Sequence, residues 1–144
     1  MKRLHVLIPL MAAVAACSSA TEAPLSMDPD DAVVASEVGQ TFELRVGQTA
    51  RVGSGGLLIG FRGVEGDSRC PVDVTCVWAG DAKLRVPVTI GRMAWTSLEL
   101  HTNLDPRSAR FRDHTITVVG LRPDPRSNRP IPNDTYIVTL RVEQ

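Results

Sequence analysis

Ala82-Lys83-Leu84-Arg85-Val86-Pro87-Val88-Thr89-Ile90 is the stretch that decides the fold. Ala82, Leu84, Val86, Val88 and Ile90 occupy every second position, with Lys83, Arg85, Pro87 and Thr89 between them. Successive side chains of an extended chain point to opposite faces, so this segment has one apolar and one polar side. It reads as a half-buried strand. Pro87 has no amide proton to give to a ladder, which predicts that the strand lies at a sheet edge or carries a bulge there.

The same period recurs on both sides. Phe42, Leu44 and Val46 alternate with Thr41, Glu43 and Arg45, and Tyr136, Val138, Leu140 and Val142 alternate with Thr135, Ile137, Thr139 and Arg141. Residues 57–64, 95–102 and 115–121 are weaker strand candidates. Turn signals separate them: Gly47-Gln48, Gly53-Ser54-Gly55-Gly56, Gly66-Asp67-Ser68, Gly91-Arg92 and Asn133-Asp134. No segment after residue 17 carries a 3.6-residue period. The expected architecture is all-β: a single antiparallel β-sandwich, Ig-like or Greek-key-like, of 6–8 short strands over residues 39–144, with a small barrel as runner-up.

Upstream, Lys2 and Arg3 precede an uncharged run from Leu4 to Ala16 that ends in Val14-Ala15-Ala16-Cys17. The run is too short to span a bilayer, which takes about 20 residues. It fits the apolar part of an export signal. Val-Ala-Ala-Cys resembles the lipobox of bacterial lipoproteins. That resemblance implies removal of residues 1–16, acylation of Cys17, and anchoring to a lipid bilayer; two or more acyl chains hold a protein stably. An ordinary signal peptide cut after Ala13-Val14-Ala15 is the competing reading, and it leaves Cys17 as a stray thiol. Ser18 and Ser19, rather than Asp, favour the periplasmic face of an outer membrane where the cell has one, and otherwise the outer face of the cytoplasmic membrane. Residues 17–38 then form the lipidated N-terminus and a flexible linker, rich in small, polar and acidic residues with Pro24 and Pro29.

The chain has 16 basic and 16 acidic side chains. Removing Lys2 and Arg3 leaves 14 against 16, a net near −2, so no electrostatic case exists for a nucleic-acid partner. Export also bears on Cys70 and Cys76, because an oxidising compartment favours their pairing. Closing a loop of that size is worth about 2.4 kcal/mol of chain entropy. A redox dithiol or half of a metal site are the alternatives, with His101 and His114 as further ligands. His101 alternates with Leu100 and is expected to face solvent. Trp78, two residues past Cys76, is expected to pack its ring on the disulfide in a structural role. Asp67 and Ser68 are placed to bond backbone amides in the turn before Cys70. Asp67, Asp73 and Asp81 do not match the spacing of a calcium loop.

Asp67-Ser68-Arg69-Cys70-Pro71-Val72-Asp73-Val74-Thr75-Cys76-Val77-Trp78-Ala79-Gly80 is similar to the signature D-S-R-C-P-x-x-V-x-C-V-W-A-G of a group of small bacterial lipoproteins and exported proteins. The resemblance covers residues 40–144 and includes a closing strand like Tyr136–Leu140. It implies a β-rich body and the Cys70–Cys76 pairing, but no activity and no cofactor.

Catalysis needs a nucleophile or a positioned acid and base. No Gly-x-Ser-x-Gly, His-Glu-x-x-His or phosphate loop is present. The leading expectation is therefore a non-catalytic binding or structural β-domain held in the cell envelope. Asp73 in the stapled loop and Arg107, Arg110, Arg112, Arg126 and Arg129 are its candidate binding surface. If the two arginine-rich loops meet at one end of the sandwich, they suit an anionic envelope component or an acidic patch on an envelope protein. The alternative is a metal-binding protein or hydrolytic enzyme built on His101, His114 and nearby aspartates. The anchor has a direct test: palmitate labelling and membrane sedimentation of the protein are expected to disappear in Cys17→Ser. Unchanged attachment of that variant overturns the assignment.

Overall fold

A computed structural model describes residues 33–144; Cys17, the leader and most of the expected linker lie outside the described residues. The strands are β1 (Val34–Ser36), β2 (Thr41–Arg45), β3 (Thr49–Val52), β4 (Leu57–Gly60), β5 (Val64–Asp67), β6 (Ala82–Ile90), β7 (Thr96–His101), β8 (Ser108–Phe111), β9 (His114–Arg122) and β10 (Ile137–Glu143). One short 3-10 turn, Asn133–Thr135, precedes β10. Among the described residues no helix is long and apolar enough to cross a membrane.

Two sheets face each other as an all-β sandwich and do not close into a barrel. The first runs β1-β3-β4-β6-β5, with β7 on the other side of β6; the second runs β2-β10-β9-β8. Among the described residues ten strands replace the expected 6–8, because β1, β3 and β8, at three or four residues each, are too short for alternation to stand out and the 57–64 segment breaks into β4 and β5. All pairings are antiparallel except β1 with β3, which is parallel. Strand β1 occupies residues 34–36, which fall within the span expected as linker.

The period-two faces meet in the middle. Leu84, Val86, Val88, Leu57 and Ile59 from the first sheet are fully buried, as are Leu44, Ile116, Val138, Leu140 and Val142 from the second. Phe61 is the largest side chain completely removed from water. With few aromatics, the core rests on branched aliphatic packing.

Pro87 corrects one expectation. Its strand is central, with β4 and β5 along one side and β7 along the other. The Arg85 amide donates to the Gly63 carbonyl at 3.1 Å, so two residues on, the Pro87 nitrogen faces the same side. That side is where β4 stops at Gly60 and β5 has not begun. Ile59 pairs with Val88, which sets Gly60, the last residue of β4, opposite Pro87, so the missing donor falls where the β4 ladder gives out before β5 begins.

Leu84 is fully buried between the sheets, so Leu84→Ala removes a packed side chain that the rigid strands cannot replace. Loss of about 2–5 kcal/mol in urea-unfolding stability is expected, with an unchanged denaturant slope.

Candidate functional site

Asp67 and Ala82 pair across β5 and β6, and residues 68–81 leave the sheet between them as a long loop. Backbone bonds close its base: Ser68 N to Asp81 O at 2.7 Å and Cys70 N to Ala79 O at 2.8 Å. Gly80 makes this closure possible. Its φ is +68°, and a Cβ there would lie 1.8 Å from the Ser68 carbonyl oxygen. Cys70 and Cys76 form a disulfide within the loop.

Arg69 ties this loop to the other sheet. Its guanidinium donates to both carboxylate oxygens of Asp67 (2.9 and 2.7 Å), to the Leu121 carbonyl (2.8 Å) and to the Pro123 carbonyl (2.9 Å). The Tyr136 hydroxyl donates to Asp67 at 2.9 Å. Burial pushes the Asp67 carboxyl up, but the bonds from Arg69 and Tyr136 outweigh it and hold the group below its ordinary value. Burial and the adjacent Asp67 push the Tyr136 phenol up to about 12. Asp67 also accepts the Arg69 amide, as expected of that turn, whereas Ser68 Oγ accepts the Asp81 amide across the base of the loop.

The second loop, residues 123–136, lies against the first. Val72 N donates to Pro125 O at 3.0 Å, and the Asp73 carboxylate accepts Ser127 N (2.9 Å) and Ser127 Oγ (2.6 Å). These bonds hold Asp73 below its ordinary value. Between the loops runs an open groove of about 640 Å³, lined by Arg69, Pro71, Arg126, Arg129, Ile131 and Tyr136 among others. On the other flank of the stapled loop, Trp78, Gly80 and Leu104 border a shallower depression of about 420 Å³.

The arginines do not converge as a shared binding surface requires. Arg110 lies within β8, and Arg112, at φ +56°, makes the turn into His114. Both belong to the His114 end of β9, whereas Arg126 and Arg129 follow its Arg122 end. The two ends of that strand are about 27 Å apart. Arg107 lies between, its Nε donating to Val118 O. Only Arg126 and Arg129 share the groove. The arginine-rich 107–112 segment folds as an edge strand because Ala109 and Phe111 face the core beside Arg110.

Trp78 corrects a second expectation. Residues 70–80 are loop and not strand, so the two-residue spacing from Cys76 carries no facing information. The ring is 83% exposed instead of packed on the disulfide.

His101 corrects a third. It lies opposite the buried Leu100, but Asp81, at the mouth of the loop, covers it. The Asp81 carboxylate accepts His101 Nδ1 (2.6 Å), Thr102 Oγ1 (3.2 Å), Asn103 N (2.9 Å) and Leu104 N (3.3 Å). His101 Nε2 lies 3.5 Å from Glu99, which pairs with Lys83 at 2.8 Å. Lys83 also reaches Glu65, and Glu65 pairs with Arg85. The Asp81 bond, helped by Glu99, raises the His101 pKa. Burial opposes ionisation of Asp81, but bonds from His101 and the Asn103 and Leu104 amides outweigh it and lower its pKa.

His101 and His114 are not brought together. His101 pairs with Lys83 near the start of β6, while Arg112, two residues before His114, contacts Met93 in the β6–β7 turn beyond the far end of that strand. His114 is buried with Nδ1 unpartnered. Among the described residues no three His, Cys, Asp or Glu side chains gather as a metal site. The candidate site is therefore the loop end: the stapled loop, the groove with Arg126 and Arg129, and the latch Arg69–Asp67–Tyr136.

Compared with known proteins, the chain matches no family model, no curated protein and no solved structure.

The Asp81–His101 pair has a defined pH signature. A raised His101 pKa stabilises the fold below the ordinary histidine value near 6.5, and that contribution is lost as pH rises through the folded-state value. The lowered Asp81 pKa contributes above its ordinary value near 3.8 and is lost as pH falls through the folded-state value. Urea unfolding across pH is expected to show stability declining from about pH 6.5 upward, with the decline flattened in His101→Gln.

Proposed function

We propose that this chain is a lipid-anchored protein of the bacterial cell envelope whose β-sandwich is a non-catalytic binding module, with the loop end as its binding face. The observation that carries the reading is the way the two long loops are locked. A disulfide, a four-acceptor guanidinium and the Asp73–Ser127 bonds hold both against the end of the sandwich. Loops ordered before binding cost less entropy on association, and a rigid β scaffold carrying shaped loops is a common way to build a recognition surface. Arg126 and Arg129, absent from the ion pairs among the described residues, add anion-seeking groups to one wall. The disulfide accords with export, which the leader and Cys17 independently suggest.

Photo-crosslinkers placed one at a time at Asn128, Arg126 and Val119 in intact cells test the binding face. Adducts are expected from Asn128 and Arg126 and to weaken severalfold in Cys70→Ser/Cys76→Ser. Val119, exposed on the outer face of β9, is the control. Equal capture from all three positions overturns the assignment of the loop end.

A further inference from the structure

Of the ten large apolar side chains exposed among the described residues, five crowd this one end: Val72, Val74, Val77, Trp78 and Leu104. Val77 is 91% exposed and Trp78 83%. Val72 to Trp78 stand on the stapled loop, and Leu104 joins them through its amide bond to Asp81 and the depression it shares with Trp78. Between Arg69 and Asp81 the only charged residue is Asp73, and its carboxylate is turned onto Ser127. The tip is thus apolar, aromatic, uncharged within the loop's outer side and cross-linked by a disulfide.

Strand register directs the start of β1 toward the same side. Val34 pairs with Ala50, Ala50 with Ile59 and Ile59 with Val88, so β1 lies level with the far part of β6. Because β1 is parallel to β3, its N-terminal side points along β6 toward Ala82, where the stapled loop emerges. From the level of Val88 to Ala82 is six residues of strand, about 20 Å. A chain of sixteen residues, the number from 18 to 33, reaches about 55 Å at full extension and would span about 22 Å as coil.

We infer that the Val72–Val74–Val77–Trp78–Leu104 tip docks on the lipid surface that holds Cys17, seating Trp78 in the interfacial layer. The inference rests on the anchored-module reading above and names the partner of its binding face. Tryptophan with aliphatic neighbours suits the water–lipid boundary, where the ring is buried and its N–H stays wet. A patch this small binds a bilayer weakly by itself. A tether whose span matches the distance raises the effective concentration to the order of millimolar, which is enough to keep a weak contact populated. Phosphatidylcholine carries no net charge, so on that lipid Arg126 and Arg129 beside the tip add little and docking is indifferent to salt.

The test uses the chain from Cys17 to Gln144, which contains every described strand. With Cys70 and Cys76 oxidised, Cys17 is its one free thiol. Coupling it to a maleimide lipid in phosphatidylcholine vesicles imposes the tether whether or not cells acylate that cysteine. Trp78 and Trp95 are the two tryptophans. In Trp95→Phe, emission from Trp78 is expected to shift to the blue on vesicles and to be quenched severalfold by brominated acyl chains, equally at low and high salt. In Trp78→Phe, Trp95 is expected to stay unquenched. Val77→Ser/Leu104→Ser in the Trp95→Phe background is expected to abolish quenching while keeping the unfolding midpoint. Vesicle-bound protein with Trp78 unquenched overturns the docking and leaves the anchored-module reading standing. A crosslinker at Val77 that traps one envelope protein in cells, and no lipid, replaces the bilayer with a protein as the occupant.

Discussion

At the end of the sandwich where the two long loops meet, a single guanidinium satisfies four acceptors drawn from both sheets. Arg69 holds the Asp67 carboxylate that ends β5, and the carbonyls of Leu121 and Pro123 at the end of β9. The planar fork of arginine suits this position, because its donors diverge in one plane and can brace a carboxylate and two backbone groups together. Its side chain is only 10% exposed, and the Asp67 side chain 11%, so removing either partner strands the other in a poorly solvated place. The groove, the course of the 123–136 loop and the outward set of the stapled loop all lean on this contact.

Around it, the two flanks of the stapled loop serve different chemistry. On one flank the walls are proline, arginine and the Tyr136 ring; on the other, an apolar tip stands in solvent above the Asp81–His101 pair. Asp81 accepts four hydrogen bonds from the end of β7 and the residues that follow it, so the base of the tip is rigid even though its crest is exposed. A rigid base with an exposed apolar crest is an arrangement that folding alone does not favour, because exposed Trp and Val gain nothing from water.

Cys17 and the loop end, far apart in sequence, become parts of one proposal through the direction of β1. Its three-residue parallel pairing with β3 is the smallest strand contact of the sandwich, yet it aims the start of β1 toward the loop end.

By itself the sequence determined the all-β class and most core positions. Period-two alternation in 41–46, 82–90 and 136–142 is a local property of an extended chain, and it survives into the folded state because each strand has one face in the core. The expected pairing of Cys70 with Cys76, six positions apart, also holds, and it followed from the export reading and the D-S-R-C signature. Tertiary structure alone decided what non-local pairing controls. Strand β8 was hidden among arginines, Pro87 was excused by an interruption in other strands, and His101 was covered by Asp81 from 20 residues away. Trp78 pointed outward because its segment left the sheet. The Arg69–Asp67–Tyr136 latch had no sequence signal beyond a D-x-R spacing and a lone tyrosine. Tyr136 lies 69 residues from Asp67 and reaches it only once the two sheets have packed. Hydrogen-bond partners across a core are chosen by register and not by spacing along the chain.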